Sequence, residues 1–437
     1  MSSIRREKKR EKKMQLTKTS QNLIDIFVKK ECASHKPVSF SKQTQTILTR
    51  LYHDIVEGEK YATSHEVLFK KQIFDIPSTP IPFPKQFPLH SFPQSIKQHI
   101  EKTAKEVVSY QFSLFDKRTI CIYFVLEKKI SEQKINEYVH EMAVWLYMLH
   151  KYASPTCSQD ITIYIYLTSC KKTLPEYNAD VLEETHVNSA FTTSCAPETE
   201  IVVFRKEEWF KVFLHETFHS FGLDFSDMNN DLFHRKILTL FPVSSEVNLF
   251  EAYTEFWACL LNCLFFAYRS LDNNNKVSNK NNNKNIDTTE NPKEFLSLSE
   301  TFFNMERRFK CFQLVKVLDY MGLRYNDLFV INGDTKKKYR EKTNVLAYFV
   351  INASLMDQYE EFLHWCDTHN HSGTISLLQF KKTTQNQFDF YQFIEKHYQC
   401  KSLLQNVACM EKALYTFQKQ KKNIVLSTMR MTMFDFE

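Results

Sequence analysis

The stretch that decides the fold is residues 200–222, which read EIVVFRKEEWFKVFLHETFHSFG. Its first five residues are mostly β-branched or apolar, which predicts a buried strand. From residue 206 the pattern becomes helical, with Glu207 and Glu208 in the first turn, where acidic side chains favour a helix start. Gly222 follows the last periodic residue, where glycine commonly ends a helix. The stretch therefore predicts a strand, a turn and a helix in that order.

Two histidines lie on one face of the predicted helix. His215 and His219 are four residues apart, so their imidazoles project from the same side and can share one Zn²⁺. Glu216 lies beside the first histidine, where its carboxylate can take a proton from a water at the metal's open position. The pattern predicts a hydrolytic site with one zinc ion. The alternative is a helix that carries two ordinary half-buried histidines.

A catalytic zinc needs a third protein ligand, and a second predicted helix offers one. Residues 250–258 (FEAYTEFWA) are apolar apart from a threonine and two acidic residues, Glu251 and Glu255, which lie one turn apart on the same face. Two carboxylates that face a core are costly unless a cation or a hydrogen-bond donor compensates them. We therefore expect Glu251 to be the third ligand and Glu255 to orient a histidine. The alternatives are a surface stripe and a buried ion pair.

These motifs resemble those of the zincin metallopeptidases. Residues 212–221 (VFLHETFHSF) fit the extended zincin signature, and the carboxylate pair on the second helix is similar to that of the gluzincin branch. The resemblance implies an α+β fold, with a zincin-like mixed β-sheet lobe that carries the active-site helix, followed by a mostly helical C-terminal lobe. In another zincin branch the third ligand lies six residues after the second histidine. That position is Phe225 here, and Asp224 and Asp227 are out of register.

The resemblance also implies how substrate binds. Residues 188–193 (NSAFTT) stand where gluzincins have the edge strand of the sheet, one strand before the motif helix. A peptide laid antiparallel on such an edge gains main-chain hydrogen bonds. Asn188 and Ala190 resemble the positions that make these bonds.

The expected reaction is zinc-assisted hydrolysis of a peptide bond in a peptide or protein substrate. Glu216 is the expected general base, and a tyrosine from the second lobe would stabilise the oxyanion. Tyr348 and Tyr253 are both candidates. The chain as a whole also resembles uncharacterised metallopeptidases encoded by large DNA viruses. The competing class is a catalytically silent zincin-fold scaffold or interaction protein, with a basic tail that binds nucleic acid or targets the nucleus.

The net charge of +6 lies entirely in the N-terminal tail. Residues 1–20 contain eight basic and two acidic residues, and the remaining chain is neutral. Such a block is typical of a nuclear-import signal or of weak contact with nucleic-acid phosphates. The alternative is a solvated tail without a partner.

The cysteines and the apolar stretches predict an intracellular location. Eleven cysteines are scattered without a C-x-x-C pair, so we expect neither a disulfide framework nor a structural zinc module. No secretory signal is recognisable, and the longest apolar stretch, residues 256–268, is too short to cross a bilayer. We expect a reducing compartment, cytoplasm or nucleus, with the virion as a further location if the viral resemblance holds.

Five segments are expected along the chain. They are a disordered basic tail (1–20), a helical and Pro-rich extended segment (21–94), a zincin-like catalytic α/β lobe with the metal site (95–271), an Asn-rich disordered loop (272–292) and a helical C-terminal lobe (293–437). The catalytic lobe is predicted as β-β-α-β-β-β-α. The Pro-rich piece, residues 77–93, is expected to lie extended over a surface.

Overall fold

The computed structural model has an α+β fold with one mixed six-stranded sheet. It describes residues 16–28, 39–64, 69–76, 78–88, 91–115, 117–278, 292–331, 333–370, 377–421 and 423–436. The strands are β1 (Lys70–Asp75), β2 (Glu106–Leu114), β3 (Arg118–Leu126), β4 (Asp160–Tyr166), β5 (Ala190–Thr192) and β6 (Glu198–Val203). The helices are α1 (Lys18–Val28), α2 (Lys42–Thr63), α3 (Gln94–Thr103), α4 (Glu132–Tyr152), α5 (Glu184–Val187), α6 (Trp209–Ser220), α7 (Asp231–Leu240), α8 (Leu249–Ser278), α9 (Pro292–Tyr320), α10 (Gly333–Lys338), α11 (Asn352–Asp357), α12 (Tyr359–His369), α13 (Thr384–His397), α14 (Lys401–Lys419) and α15 (Asn423–Ser427). A 3₁₀ turn (Tyr325–Phe329) and a π-helical turn (Leu346–Ile351) complete the description.

The strands follow the order β1-β2-β3-β4-β6-β5 across the sheet. β1, β2 and β3 form an antiparallel meander, β3, β4 and β6 are parallel, and β5 runs antiparallel to β6 at the edge. The predicted order of elements from β2 to α6 is confirmed except for the short helix α5 between β4 and β5, and β1 is an additional strand. Residues 188–193 contain the edge strand, as predicted.

The residues of β4 alternate between the two faces of the sheet. Ile161, Ile163 and Ile165 belong to the main core, while Tyr164 and Tyr166 belong to a smaller cluster on the opposite face. Successive strand residues point to opposite faces, so the isoleucines of β4 contribute to one hydrophobic layer and its tyrosines to the other. The main core is shared with α4, α6 and α8, which places the motif helix directly on the sheet.

The Pro-rich segment lies extended on the smaller layer, as predicted. The Tyr166 hydroxyl donates to the Pro82 carbonyl at 2.6 Å, and the Glu200 carboxylate accepts from the Lys85 and Gln86 amides at 2.8–3.0 Å. Rings at positions 83, 87 and 92 pack on this face. Proline cannot extend a ladder, so the segment covers the sheet through side chains and these few hydrogen bonds.

Two boundaries differ from the predictions. The motif helix begins at Trp209 rather than near residue 206, because Glu208 adopts a left-handed conformation (φ 61°) at its N-terminus. α8 continues to Ser278, beyond the predicted helix–loop boundary at residue 272, since extending a formed helix costs little. Residues 279–291 of the Asn-rich insertion lie outside the described residues, as do residues 1–15 of the basic tail.

α8 crosses the interior of the protein. Its residues Leu249–Leu271 are long and apolar enough to span a membrane by length and composition, but 89% of the most apolar window is buried against the rest of the chain. That burial is what the central helix of a folded core also shows. The chain after α15 enters the same interior, with Met431 and Met433 buried beside the helix layer.

Candidate metal centre

The motif helix α6 is fixed at both ends by unusual backbone. At its start, the buried Glu208 carboxylate accepts from the amides of Met431 and Thr432 at 2.7 and 2.6 Å. These bonds hold the left-handed residue in place and tie the helix to the C-terminal segment. At its end, Gly222 has φ 69°, and the Leu223 amide donates to the Phe218 carbonyl at 2.9 Å, as in a Schellman termination.

His215, His219 and Glu251 converge, as expected from the sequence. His215 Nε2 lies 3.1 Å from Glu251 Oε2 and 3.2 Å from His219 Nε2, and His219 Nε2 lies 3.5 Å from the same carboxylate oxygen. The residues are buried or nearly so, and each directs one ligand atom at a common point. α6 supplies the histidines and α8, packed on it, supplies the carboxylate. These three side chains can hold a metal ion.

Each histidine is oriented by a further carboxylate. His215 Nδ1 lies 3.1 Å from Glu255 Oε2, and His219 Nδ1 pairs with Asp224. A carboxylate on the remote ring nitrogen sets the tautomer and the rotation of a metal-binding imidazole. Glu255 was expected in this position. Asp224 was considered only as a ligand, but the turn at Gly222 brings it back against His219.

Glu255 also accepts two buried ion pairs. Lys211 and Lys310 both contact its carboxylate, and all three side chains are at most 2% exposed. The buried ion pair that stood as an alternative to the metal-site interpretation therefore exists, but it coexists with the contact to His215. Because the two lysines hold the pKa of Glu255 well below its ordinary value despite burial, its carboxylate stays charged.

The electrostatics of the three candidate ligands favour a bound cation. Burial lowers the pKa of His219, but Asp224 and Glu251 outweigh burial and raise it well above 6.5. Burial opposes ionisation of Glu251, yet the two imidazoles hold its pKa far below 4.5. Three carboxylates, those of Glu251, Glu255 and Asp224, thus stabilise positive charge at the point where the ligand atoms meet. A divalent cation would replace the protons that the histidines otherwise hold.

A small cavity of about 40 Å³ opens beside His215 and is lined by Glu216 and Tyr348. Burial raises the pKa of Glu216, and the neighbouring histidines oppose the shift. Tyr348 lies on the π-helical turn, with its ring 5.9 Å from that of His215. Burial and the nearby carboxylates of Glu251 and Glu216 raise the pKa of its hydroxyl well above 10. π-helical turns are frequent at functional sites. Of the two candidate tyrosines, Tyr348 reaches the site.

Tyr253 has another role. Its hydroxyl donates to the Leu378 carbonyl at 2.9 Å and accepts from Asn370 at 2.8 Å, within a fully buried aromatic layer. It therefore ties α8 to the C-terminal helices rather than facing the metal ligands.

The edge strand β5 presents its free side next to this cavity. Ser189 accepts from the Phe204 amide and the Thr193 amide donates to Glu200, so alternate residues bond to β6. By that alternation the main-chain N–H and C=O of Ala190 point to the open edge, which no strand among the described residues covers. Asn188 also lines the cavity, but its side-chain oxygen accepts from Thr343 at 3.0 Å.

The disulfide between Cys157 and Cys195 contradicts the expectation that the cysteines form no disulfide framework, and Cys409 is also disulfide-bonded. Cys157 and Cys195 are bonded and lie against Gly222, where an added Cβ would meet the Cys157 sulfur at 2.9 Å. The bond joins the loop before β4 to the loop before β6 and supports the turn after the motif helix. The spacing of the two cysteines, 38 residues, carries no sequence signature, so only the fold reveals it.

Comparisons with protein-family models, with curated proteins and with solved structures found no match. The functional interpretation therefore rests on the geometry and chemistry of these residues.

Proposed function

We propose that the protein is a zinc-dependent metallopeptidase of the zincin type. The supporting observation is the separation of the three ligand atoms, 3.1, 3.2 and 3.5 Å. Tetrahedral zinc with bonds of about 2.0–2.1 Å places its ligand atoms about 3.3 Å apart. Two imidazoles and one carboxylate are a common donor set for catalytic zinc and leave a fourth position for water or substrate.

Zinc held by His215, His219 and Glu251 would supply a Lewis acid that lowers the pKa of water and polarises the scissile carbonyl. Glu216 takes the proton from the attacking water and returns it to the leaving amine. Its raised pKa suits this exchange, because a base is most effective when its pKa is close to the working pH. The Tyr348 hydroxyl donates to the developing oxyanion.

Substrate binding follows from the free edge of β5. An extended peptide that pairs with the main chain of Ala190 lies beside the cavity that contains Glu216 and Tyr348. Main-chain pairing requires no particular side chain, so the edge positions the peptide while the cavity selects among residues. This position of the edge strand beside the metal ligands is the one expected from a zincin-like arrangement of sheet, motif helix and carboxylate helix.

The test combines metal analysis with peptide cleavage. We expect about one zinc per chain, hydrolysis of a blocked peptide mixture, and loss of that activity in Glu216→Gln with the zinc retained. Glu184→Gln, on the exposed side of α5, is the matched control and should be fully active. Full zinc with no cleavage by either protein would favour the silent scaffold. Full activity of Glu216→Gln would reject the mechanism.

The cellular location and the binding partners of the protein are predictions. We propose an intracellular location and weak nucleic-acid contact through the basic tail, whose first 15 residues lie outside the described structure. The Cys157–Cys195 disulfide weakens the argument from cysteine usage for a reducing compartment. Thiol titration of protein purified with and without reductant would measure how far this bond forms.

A further inference from the structure

The outer edge of β1 is open. β1 pairs with β2 on one side, and no strand among the described residues pairs with its other side. The Ile76 amide donates to the Lys105 carbonyl at 2.9 Å and so continues the β1–β2 register. By the alternation of an antiparallel ladder, the main-chain groups of every second residue before Ile76 point outward. These residues are Lys71, Ile73 and Asp75.

The side chains of the same residues share one face of the strand, and this face adjoins the main core. Ile73 is paired with Val108, which belongs to that core and is 3% exposed, yet Ile73 itself is 55% exposed. Lys71 reaches Glu132 at the start of α4 at 2.6 Å, and Asp75 is exposed. The core layer therefore stops at an exposed apolar side chain, with a base on one side of it and an acid on the other.

We propose that β1 pairs antiparallel with β1 of a second copy of this chain, with Ile73 on the two-fold axis. In this register Ile73 faces its own counterpart, and Lys71 of each copy faces Asp75 of the other. A two-fold interface must match a surface to itself, and the order of base, apolar residue and acid does so. Two six-stranded sheets thereby become one continuous sheet.

The main-chain groups meet in the same register. Ile73 can exchange both of its main-chain hydrogen bonds with its counterpart, and the Asp75 amide of each copy can donate to the Lys71 carbonyl of the other. The Asp75 carbonyl is not needed, since it already accepts from the Thr79 amide at 3.2 Å. Main-chain hydrogen bonds thus flank the apolar contact on both sides of the axis.

Neighbouring registers do not match the charges. With Gln72 on the axis, Lys71 would face Ile73 of the second copy, and with Phe74 on the axis, Ile73 would face Asp75. Opposite charges across two strands stabilise the pair and like charges destabilise it, whereas a charge opposite an apolar side chain gains nothing. Of these three registers, only the one centred on Ile73 pairs both charged side chains of this face.

The charges also limit which strand can pair with this edge. Lysines on an exposed edge oppose indiscriminate strand addition, and a second copy supplies the acid that compensates Lys71. One short strand from each copy makes a small interface of the kind found in weak associations, so we expect a Kd on the order of 10–100 µM. β5, the edge proposed to bind substrate, lies at the opposite side of the sheet and stays free. The inference is therefore independent of the proposed peptidase function.

The test is charge reversal, measured by sedimentation velocity at protein concentrations from about one tenth to ten times the expected Kd. Lys71→Glu and Asp75→Lys each place like charges opposite one another at both charged contacts, so each variant alone should dimerise about tenfold or more weakly than wild type. In an equimolar mixture of the two variants every charged contact again joins opposite signs. The mixture should therefore form a heterodimer, and the double variant Lys71→Glu/Asp75→Lys should dimerise by itself.

Glu184→Lys is the matched control, because this exposed acid lies on α5, next to β5 at the far edge of the sheet. Its Kd should equal that of wild type. Lys71→Glu also places a carboxylate near Glu132 within one copy, so thermal unfolding is measured on every variant, and the mixture and the double variant keep that repulsion. A wild type that stays monomeric at all concentrations would overturn the proposal. Equal Kd values for wild type and both single variants would place the contact elsewhere, and single variants that do not associate when mixed would reject the register.

Discussion

Replacement of Tyr348 by phenylalanine removes the proposed oxyanion donor and leaves the metal ligands in place. The substitution removes one hydroxyl from a side chain that is 8% exposed and whose ring lies 5.9 Å from that of His215. Glu251 keeps its contacts to both histidines in this variant, because they do not involve Tyr348. We therefore expect zinc content to be unchanged and the free energy of unfolding to fall by only about 1 kcal/mol.

The effect on catalysis should be much larger. A donor that acts on the oxyanion is used only in the transition state, and loss of one such donor costs about 10²–10³-fold in kcat, or about 2.7–4 kcal/mol. Because the ground-state complex does not use the bond, KM should change little. The assay is steady-state cleavage of one blocked peptide, with zinc measured on the same samples.

Tyr253→Phe is the matched control for this prediction. Its hydroxyl is bonded to Leu378 and Asn370 rather than to the site, so its loss should lower stability by about 1–2 kcal/mol and leave kcat within a few-fold of wild type. If Tyr348→Phe keeps more than a third of wild-type kcat, or if Tyr253→Phe loses as much as Tyr348→Phe, the assignment of the oxyanion donor is wrong.

Three further changes have defined outcomes. Asp224→Asn removes the charge behind His219 and should weaken zinc affinity about 10–100-fold in a competition with a chelator, whereas unchanged affinity would exclude an orienting role. Burial raises the pKa of Glu306 to about 7 from 4.5, so the folded chain holds this proton more tightly and loses stability as pH rises through that window. Urea unfolding of Glu306→Gln should therefore show up to about 3 kcal/mol more stability than wild type at pH 8 and little difference at pH 4.5; equal curves at both pH values would contradict the shift. Gly222→Ala places a Cβ 2.9 Å from the Cys157 sulfur, in a residue whose φ is 69°. The free energy of unfolding should fall by about 1–3 kcal/mol. An unchanged melting temperature would show that the turn relaxes freely.

The strand–helix unit at residues 200–222 could be predicted because its local signals agree. β-branched residues, helical periodicity and Gly222 all indicate the same elements, and the i, i+4 histidines depend only on helix geometry. Glu251 could be chosen as the third ligand because a carboxylate on an apolar helix face demands compensation. These inferences require only that one helix packs against another.

The sequence did not predict the features that depend on how the chain folds back on itself. Asp224 reaches His219 only because the chain reverses at Gly222, and the sequence spacing suggested a failed ligand instead. Glu208 was expected inside a first helical turn, but its carboxylate binds a C-terminal segment more than 200 residues away. No local pattern carries such pairings.

Convergence of two imidazoles and one carboxylate on a single zinc ion is tested most directly by metal content after dialysis. Wild type and Glu246→Ala, a change at an exposed carboxylate five residues earlier, should each retain about one zinc per chain. Glu251→Ala loses one of three protein ligands. The free energy of zinc binding at a four-ligand site is typically about 10–16 kcal/mol, and one ligand contributes about a quarter of it. The variant should therefore bind zinc about 10²–10³-fold more weakly. Full zinc in Glu251→Ala, with loss in Asp224→Ala instead, would contradict the proposed metal centre.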